Sequence, residues 1–189
     1  MLEWLWVPVG LLYINAGEWF IHRFVLHGLG RKRGTFWAFH WSEHHRAARR
    51  QGMFDPDYER SIFGWHAQSK EALGLLVAAL VHVPLFWVQP FFAGAVVYAI
   101  GNYYYRHRRS HLDPAWGYRN LRAHYEHHMG RDQDVNWCVS RPWFDWILGT
   151  RVHYPELQAP EEASAEPAVP AMAAANEQQT ESPTDEEAA

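Results

Sequence analysis

All 17 Lys and Arg residues of this 189-residue chain avoid two long stretches. None falls between Met1 and His22, which reads "MLEWLWVPVGLLYINAGEWFIH", and none between Glu71 and Tyr105, which holds "EALGLLVAALVHVPLFWVQPFFAGAVVYAIGNYYY". A membrane helix needs about 20 apolar residues, so the first gap predicts a span over roughly Leu2 to Leu26. The second gap is interrupted by Gln89 and Pro90 and predicts a helical hairpin, Ala72 to Val88 and Phe91 to about His111. The expected fold is an all-α integral membrane protein with about three membrane helices, one span plus a hairpin. The competing reading, a soluble protein with a buried hairpin, does not account for every basic residue falling on one side. Basic residues collect on the cytoplasmic face, which places the N terminus outside and the polar segments and C terminus in the cytoplasm, as in a bacterial inner membrane. Trp4, Trp6, Trp19, Trp87 and Tyr103 to Tyr105 suit the membrane–water interface.

Charge divides the chain. Residues 1–155 carry all 17 basic residues against 12 acidic ones, whereas residues 156–189 carry nine acidic residues and no basic ones. That second segment has no aromatic residue, and its Ala, Pro, Glu, Ser and Gln cannot bury enough apolar surface to offset ordering. The expected organisation is therefore one membrane domain over 1–155 and a disordered acidic tail over 156–189. One cysteine, Cys138, excludes an internal disulfide and the Cys-rich zinc modules.

Ten of the 13 histidines fall into four groups. These are "HRFVLH" (His22, His27), "HWSEHH" (His40, His44, His45), "HRRSH" (His107, His111) and "HYEHH" (His124, His127, His128). On a helix, residues three and four apart share a face, so His124, His127 and His128 converge on one centre or straddle two. His107 and His111 form an i, i+4 pair. His22 and His27 are five apart, about 140° around an ideal α-helix, and need the helix to end or distort, for which Gly28 offers a place. Neutral imidazoles bind zinc and ferrous iron, and ten of them suffice for two ions. His66, His82 and His153 stand alone and are expected in ordinary structural roles. Glu18, four residues before His22 near the end of a span, is placed to accept a bond from a ligand imidazole and fix its tautomer. Glu43, Asp113 and Glu126 are weaker candidates for that task.

The ordered set of four histidine boxes resembles the fatty acid hydroxylase and sterol desaturase superfamily of integral-membrane two-metal oxygenases. "DWILGT", Asp145 to Thr150, is similar to that family's closing segment, and the likeness runs from about Gly17 to Thr150. Three residues separate His40 from His44, where many members have two, and four spans are common in the family. The resemblance implies a histidine-rich helical cytosolic cap holding two iron ions, with zinc possible in isolated protein. It implies dioxygen, an external electron donor of ferredoxin or cytochrome b5 type, and a membrane lipid substrate, whether fatty-acyl, sterol-like or a carotenoid or other isoprenoid. The implied ligands are His22, His27, His40, His44, His45, His107, His111, His124, His127 and His128. The implied reaction is hydroxylation or desaturation of that lipid. A zinc-dependent membrane hydrolase and a non-enzymatic metal-handling protein are the alternatives. The arginines flank apolar segments and suit anionic headgroups, so no nucleic-acid role is expected.

Overall fold

The computed structural model describes residues 2–160; residues 161–189, most of the expected acidic tail, lie outside them. The described residues are all helical or irregular. A short 3-10 turn, Glu3–Leu5, leads into α1 (Trp6–Phe20), which runs directly into a π-helical segment, Ile21–Leu29. A second π-helical segment, His40–His45, continues into α2 (Arg46–Arg50). Then come α3 (Ala67–His82), extended by a 3-10 turn Val83–Trp87, and α4 (Pro90–Leu112). Three short helices close the order: α5 (Pro114–Asn120), α6 (Arg122–Met129) and α7 (Trp143–Ile147).

Local chemistry sets these boundaries. Pro90 sits in the first turn of α4, where its missing N–H costs nothing. Asp113 caps α5 by accepting the Trp116 N–H at 2.9 Å, so this residue begins the turn after the hairpin. Asp55 caps the 3-10 turn Pro56–Glu59 through the Asp57 N–H at 3.0 Å. Both α1 and α3 pack on α4. At Gly10 a β-carbon would lie 2.9 Å from both Ala95 Cβ and the Phe92 carbonyl, so glycine allows α1 and α4 their close approach.

Among the described residues one helical segment, not three, is long and apolar enough to cross a membrane: the 21 residues Ala67–Trp87. At 1.5 Å per residue it spans about 30 Å, the thickness of the hydrocarbon core. Only 6 % of its most apolar stretch is buried, so this arm of the hairpin is not packed as the core helix of a soluble fold. Leu76, Val77, Leu80, Val81 and Trp87 stand exposed along it. The other two expected spans fall short for different reasons. The α1 run is diluted by Asn15, Glu18 and tryptophans, and Asn15 is buried, donating to the Arg141 carbonyl at 2.8 Å. The 23-residue α4 is long enough, but its final turns carry Arg106, Arg108, Arg109 and two histidines.

Candidate metal centre

The buried middle of this chain is built largely of imidazole. His22, His27, His40, His45 and His127 bring one nitrogen each to within 4.8 Å of one another, and all five are buried. His44, His107, His111 and His128 form a second such group, also buried. His124 adjoins the second group, with Nε2 3.1 Å from His111 Nε2. The two groups are neighbours: the His45 and His128 rings lie 4.2 Å apart between centroids.

The sequence groups therefore do not map one to one onto the two clusters. The first pair goes wholly to the first cluster and the third pair wholly to the second. "HWSEHH" is divided, His40 and His45 from His44, and "HYEHH" is divided with His127 on one side and His128 on the other.

The five-residue spacings work because the backbone is not α-helical there. Ile21–Leu29 and His40–His45 are π-helical, with bonds such as Gly30 N–H to the Val25 carbonyl at 2.9 Å. The i to i+5 bonding of a π-helix brings residues five apart to one face, so His22 aligns with His27 and His40 with His45. The α-helical expectation of a 140° divergence is corrected accordingly. The helix distorts rather than ends, and Gly28 lies within it.

Outer hydrogen bonds decide where the lone pairs point. His22 Nδ1 donates to the Trp137 carbonyl at 2.6 Å, His127 Nδ1 to the Val135 carbonyl at 2.7 Å and His111 Nδ1 to the Met53 carbonyl at 2.8 Å. His44 Nδ1 donates to Asp55 Oδ2 at 2.7 Å, and Glu71 Oε1 lies 2.6 Å from His107 Nδ1. Each such bond places the proton on Nδ1 and turns the Nε2 lone pair inward. In the first cluster the Nε2 atoms then face each other at 3.0 Å (His22 and His40), 3.1 Å (His27 and His45; His40 and His45) and 3.2 Å (His45 and His127). His22 and His127 have both committed their protons outward, so their Nε2 lone pairs face the centre of the cluster, where a shared cation or a ring N–H of His40 or His45 satisfies them. Separations near 3.0 Å suit two nitrogens set at right angles about 2.1 Å from a common centre. In the second cluster, the Nε2 atoms of His44, His107 and His128 are buried without a hydrogen-bond partner. Buried polar atoms are seldom left unpaired, and a metal ion would satisfy all three. The donor set fits two metal ions.

Burial, reinforced by neighbouring histidines, pushes His40, His45, His124 and His128 well below the ordinary histidine range. Burial likewise lowers His127 to about 4. These rings are neutral at pH 7 and available as ligands.

Two segments outside the boxes supply most of these outer bonds. The loop after α6 serves the first cluster: Gln133 lies 2.8 Å from His45 Nδ1, Asp134 lies 3.3 Å from His27 Nδ1, and Val135 and Trp137 give the carbonyls named above. Met53 to Tyr58, with Glu71, serves the second cluster. The sequence offered a signal for both, acidic residues downstream of a histidine group: "RDQDVNW" soon after His128 and "MFDPDY" beyond the basic run that follows His45.

Glu18 acts one step further out than expected. Its carboxylate accepts the Val139 and Ser140 N–H groups at 3.1 and 2.9 Å, and the Ser140 hydroxyl. It thereby holds the loop whose Trp137 carbonyl orients His22. Glu43 pairs with Lys70 at 2.8 Å. Glu126 is fully buried against Arg122, Arg151 and His153. His66, His82 and His153 lie outside both clusters, as does Cys138, which is buried beside Asn15.

Residues 7–150 match the family model described as Fatty acid hydroxylase. The chain belongs to the fatty acid hydroxylase family. No curated protein and no solved structure is significantly similar to it. In this fatty acid hydroxylase family member the matched region contains every residue of both histidine clusters and ends at Thr150, the last residue of "DWILGT". That closing segment has a structural role. Asp145 accepts the N–H groups of Trp137 and Cys138 at 2.8 and 2.9 Å and the Thr150 hydroxyl at 2.7 Å, clamping the loop against the first cluster. Family and clusters together point to a metal-dependent enzyme with an apolar helix suited to a membrane.

Proposed function

We propose that this chain is a membrane-bound two-iron oxygenase that hydroxylates or desaturates a lipid. The observation that carries the reading is a cavity of ≈ 220 Å³ between α1 and α3 whose inner end is formed by His22 and His40. Its walls include Ile14, Leu26, Leu75, Ala78 and Ile100. The volume is below the roughly 300–1,000 Å³ of sites that enclose a whole small molecule. A single hydrocarbon chain fits it in part, with the remainder in the surrounding bilayer.

Two irons held by the ten imidazoles would supply the redox chemistry that dioxygen-dependent attack on an unactivated C–H bond requires, with electrons from an external ferredoxin or cytochrome b5-type donor. The chain's own residues do the rest. His22 and His40 reach both the first cluster and the cavity, so a chain lying in the slot presents its C–H bonds to that cluster. The apolar walls exclude water from the reacting carbon. Asp55, Glu71 and the carbonyls of Met53, Val135 and Trp137 hold Nδ1 protons away from the metals, which keeps the Nε2 lone pairs aimed inward.

A zinc hydrolase would need a carboxylate beside the metals as base. Glu43 and Glu126, the candidates for that task, are taken up by Lys70 and by Arg122 with Arg151, and Glu71, which lines the cavity, is held by His107 and the Tyr58 hydroxyl.

The test is anaerobic purification of the full chain, metal quantification and iron spectroscopy, followed by turnover on lipid extracts with and without a reduced electron donor. Two irons per chain with donor- and dioxygen-dependent lipid oxidation are expected. Two firmly held zinc ions with no response to the donor would overturn the proposal.

A further inference from the structure

The outer end of the cavity is polar. Tyr13 on α1 and His82 on α3 both line it, and the Tyr13 hydroxyl lies 3.1 Å from His82 Nε2. Their rings meet edge to face at 5.6 Å between centroids. Tyr13 precedes His22 by nine residues, which at 1.5 Å per residue places this pair about 13 Å from the histidine end. His82 sits within the one described stretch apolar enough to cross a membrane, where an ionisable residue carries a cost that function has to offset.

Proton bookkeeping gives the pair a definite polarity. His82 Nδ1 lies 2.7 Å from the Ala78 carbonyl, which only accepts, so Nδ1 carries the ring proton. In the neutral ring Nε2 is then an acceptor, and the Tyr13 hydroxyl must be the donor to it. The tyrosine has spent its single proton and keeps only lone pairs to offer to the cavity. A group docking there must itself donate a hydrogen bond.

We infer that Tyr13 and His82 form a subsite for a substrate hydroxyl, selecting amphiphiles whose O–H donor lies about 13 Å from the carbon presented to His22 and His40. Ethers, esters and ketones, which only accept, are disfavoured because they would set lone pair against lone pair. This inference rests on the lipid-oxidation reading for what happens at the far end of the slot, and not for the recognition itself.

Binding of dodecanol and of undecyl methyl ether, equal in heavy-atom count, is measured on the purified full chain in nanodiscs by competition with a fluorescent fatty-acyl probe. One net hydrogen bond corresponds to about a fivefold preference, so the wild type is expected to bind the alcohol about fivefold more tightly. The double variant Tyr13→Phe/His82→Leu removes both acceptors and brings the alcohol to the level of the ether, leaving ether binding unchanged. His82→Leu frees the tyrosine proton for donation, so the ether gains and the preference collapses. Equal binding of both probes by the wild type would overturn the inference, and so would an effect of the double variant that falls equally on both. Metal content is determined on the same samples. An alcohol preference without iron binding would sink the oxygenase reading and leave the subsite standing; iron-dependent oxidation without the preference would do the reverse.

Discussion

Asp145 accepts the backbone N–H of Trp137 at 2.8 Å, while the carbonyl of Trp137 holds His22 Nδ1 at 2.6 Å. A carboxylate in the closing segment thus reaches a candidate ligand through a single residue. Asp145→Ala would leave the buried N–H groups of Trp137 and Cys138 unpaired, at about 1–3 kcal/mol each. The expected result is lower thermal stability together with weakened metal retention. Asp145→Asn keeps one carbonyl oxygen and should recover part of both. Chelator competition with metal quantification reads the second effect, and unchanged retention in Asp145→Ala would detach this clamp from the metal centre.

Asp55 and Asp134 both approach a cluster histidine, but in unequal settings. Asp55 is buried and lies 2.7 Å from His44, whereas Asp134 is half exposed, 3.3 Å from His27 and shared with Arg31 at 2.7 Å. Outer partners of metal-bound histidines typically change affinity 10- to 100-fold, and solvent screening weakens an exposed one. Asp55→Asn should therefore lower metal affinity by at least about tenfold, with Asp134→Asn changing it by a fewfold at most. Chelator titration of each variant gives the comparison. A larger loss in Asp134→Asn would contradict this ranking.

How much of this was legible in the sequence follows from which interactions are local. The histidine groups could be read because ligand spacing is a property of the chain itself, and the clusters gather nine of the ten expected residues with His124 adjoining. The π-helical backbone could not be read from spacing alone, because α and π geometry give different faces to the same five-residue interval. Asp55 and Glu71 were missed because their partners, His44 and His107, lie 11 and 36 positions away, and no periodicity links them. The burial of Glu126 could not be read for a related reason. Arg122 is its i, i+4 neighbour on α6, but Arg151 and His153 come from the segment after α7. The apolar stretches were visible, but the polar residues within α1 serve tertiary contacts such as Asn15 to the Arg141 carbonyl, which hydropathy does not reveal.

Glu126 provides a test that separates support from chemistry. It lies on α6 between His124 and His127, fully buried, with Arg122 Nε at 2.8 Å and Arg151 Nη2 at 2.6 Å. Burial would raise its pKa, but Arg122, the Tyr154 N–H and Arg151 hold it below the usual carboxylate range. Removing one partner of a buried ion pair costs about 3–5 kcal/mol, reduced here because both arginines keep some access to solvent. Glu126→Gln should lower the melting temperature by several degrees, as expected for roughly 2 kcal/mol in a domain of this size. The metal-to-protein ratio of the folded fraction should stay at the wild-type value. A folded variant that loses metal or changes the pH profile of turnover would make Glu126 part of the chemistry instead.

Acid should unfold the metal-free protein through the same histidines. Burial lowers His127 from its ordinary 6.5 to about 4, and His40, His45, His124 and His128 are also pushed down. The unfolded chain gains protons near pH 6.5, whereas these rings in the fold remain neutral to lower pH. Below about 6.5 the unfolded state binds more protons, so stability falls as pH falls, by about 1.4 kcal/mol per pH unit for each such histidine. For His127 the loss accumulates between about 6.5 and 4 and then levels off. Above about pH 7.5 the contribution is flat, since both states are neutral. A bound metal occupies the same lone pairs and should shift the fall to lower pH until protons displace it. Thermal unfolding of chelator-treated and metal-loaded protein in nanodiscs, measured from pH 8 to pH 5, checks both statements. Chelated protein with a melting temperature independent of pH over that range would mean that these histidines titrate in the fold as they do in water.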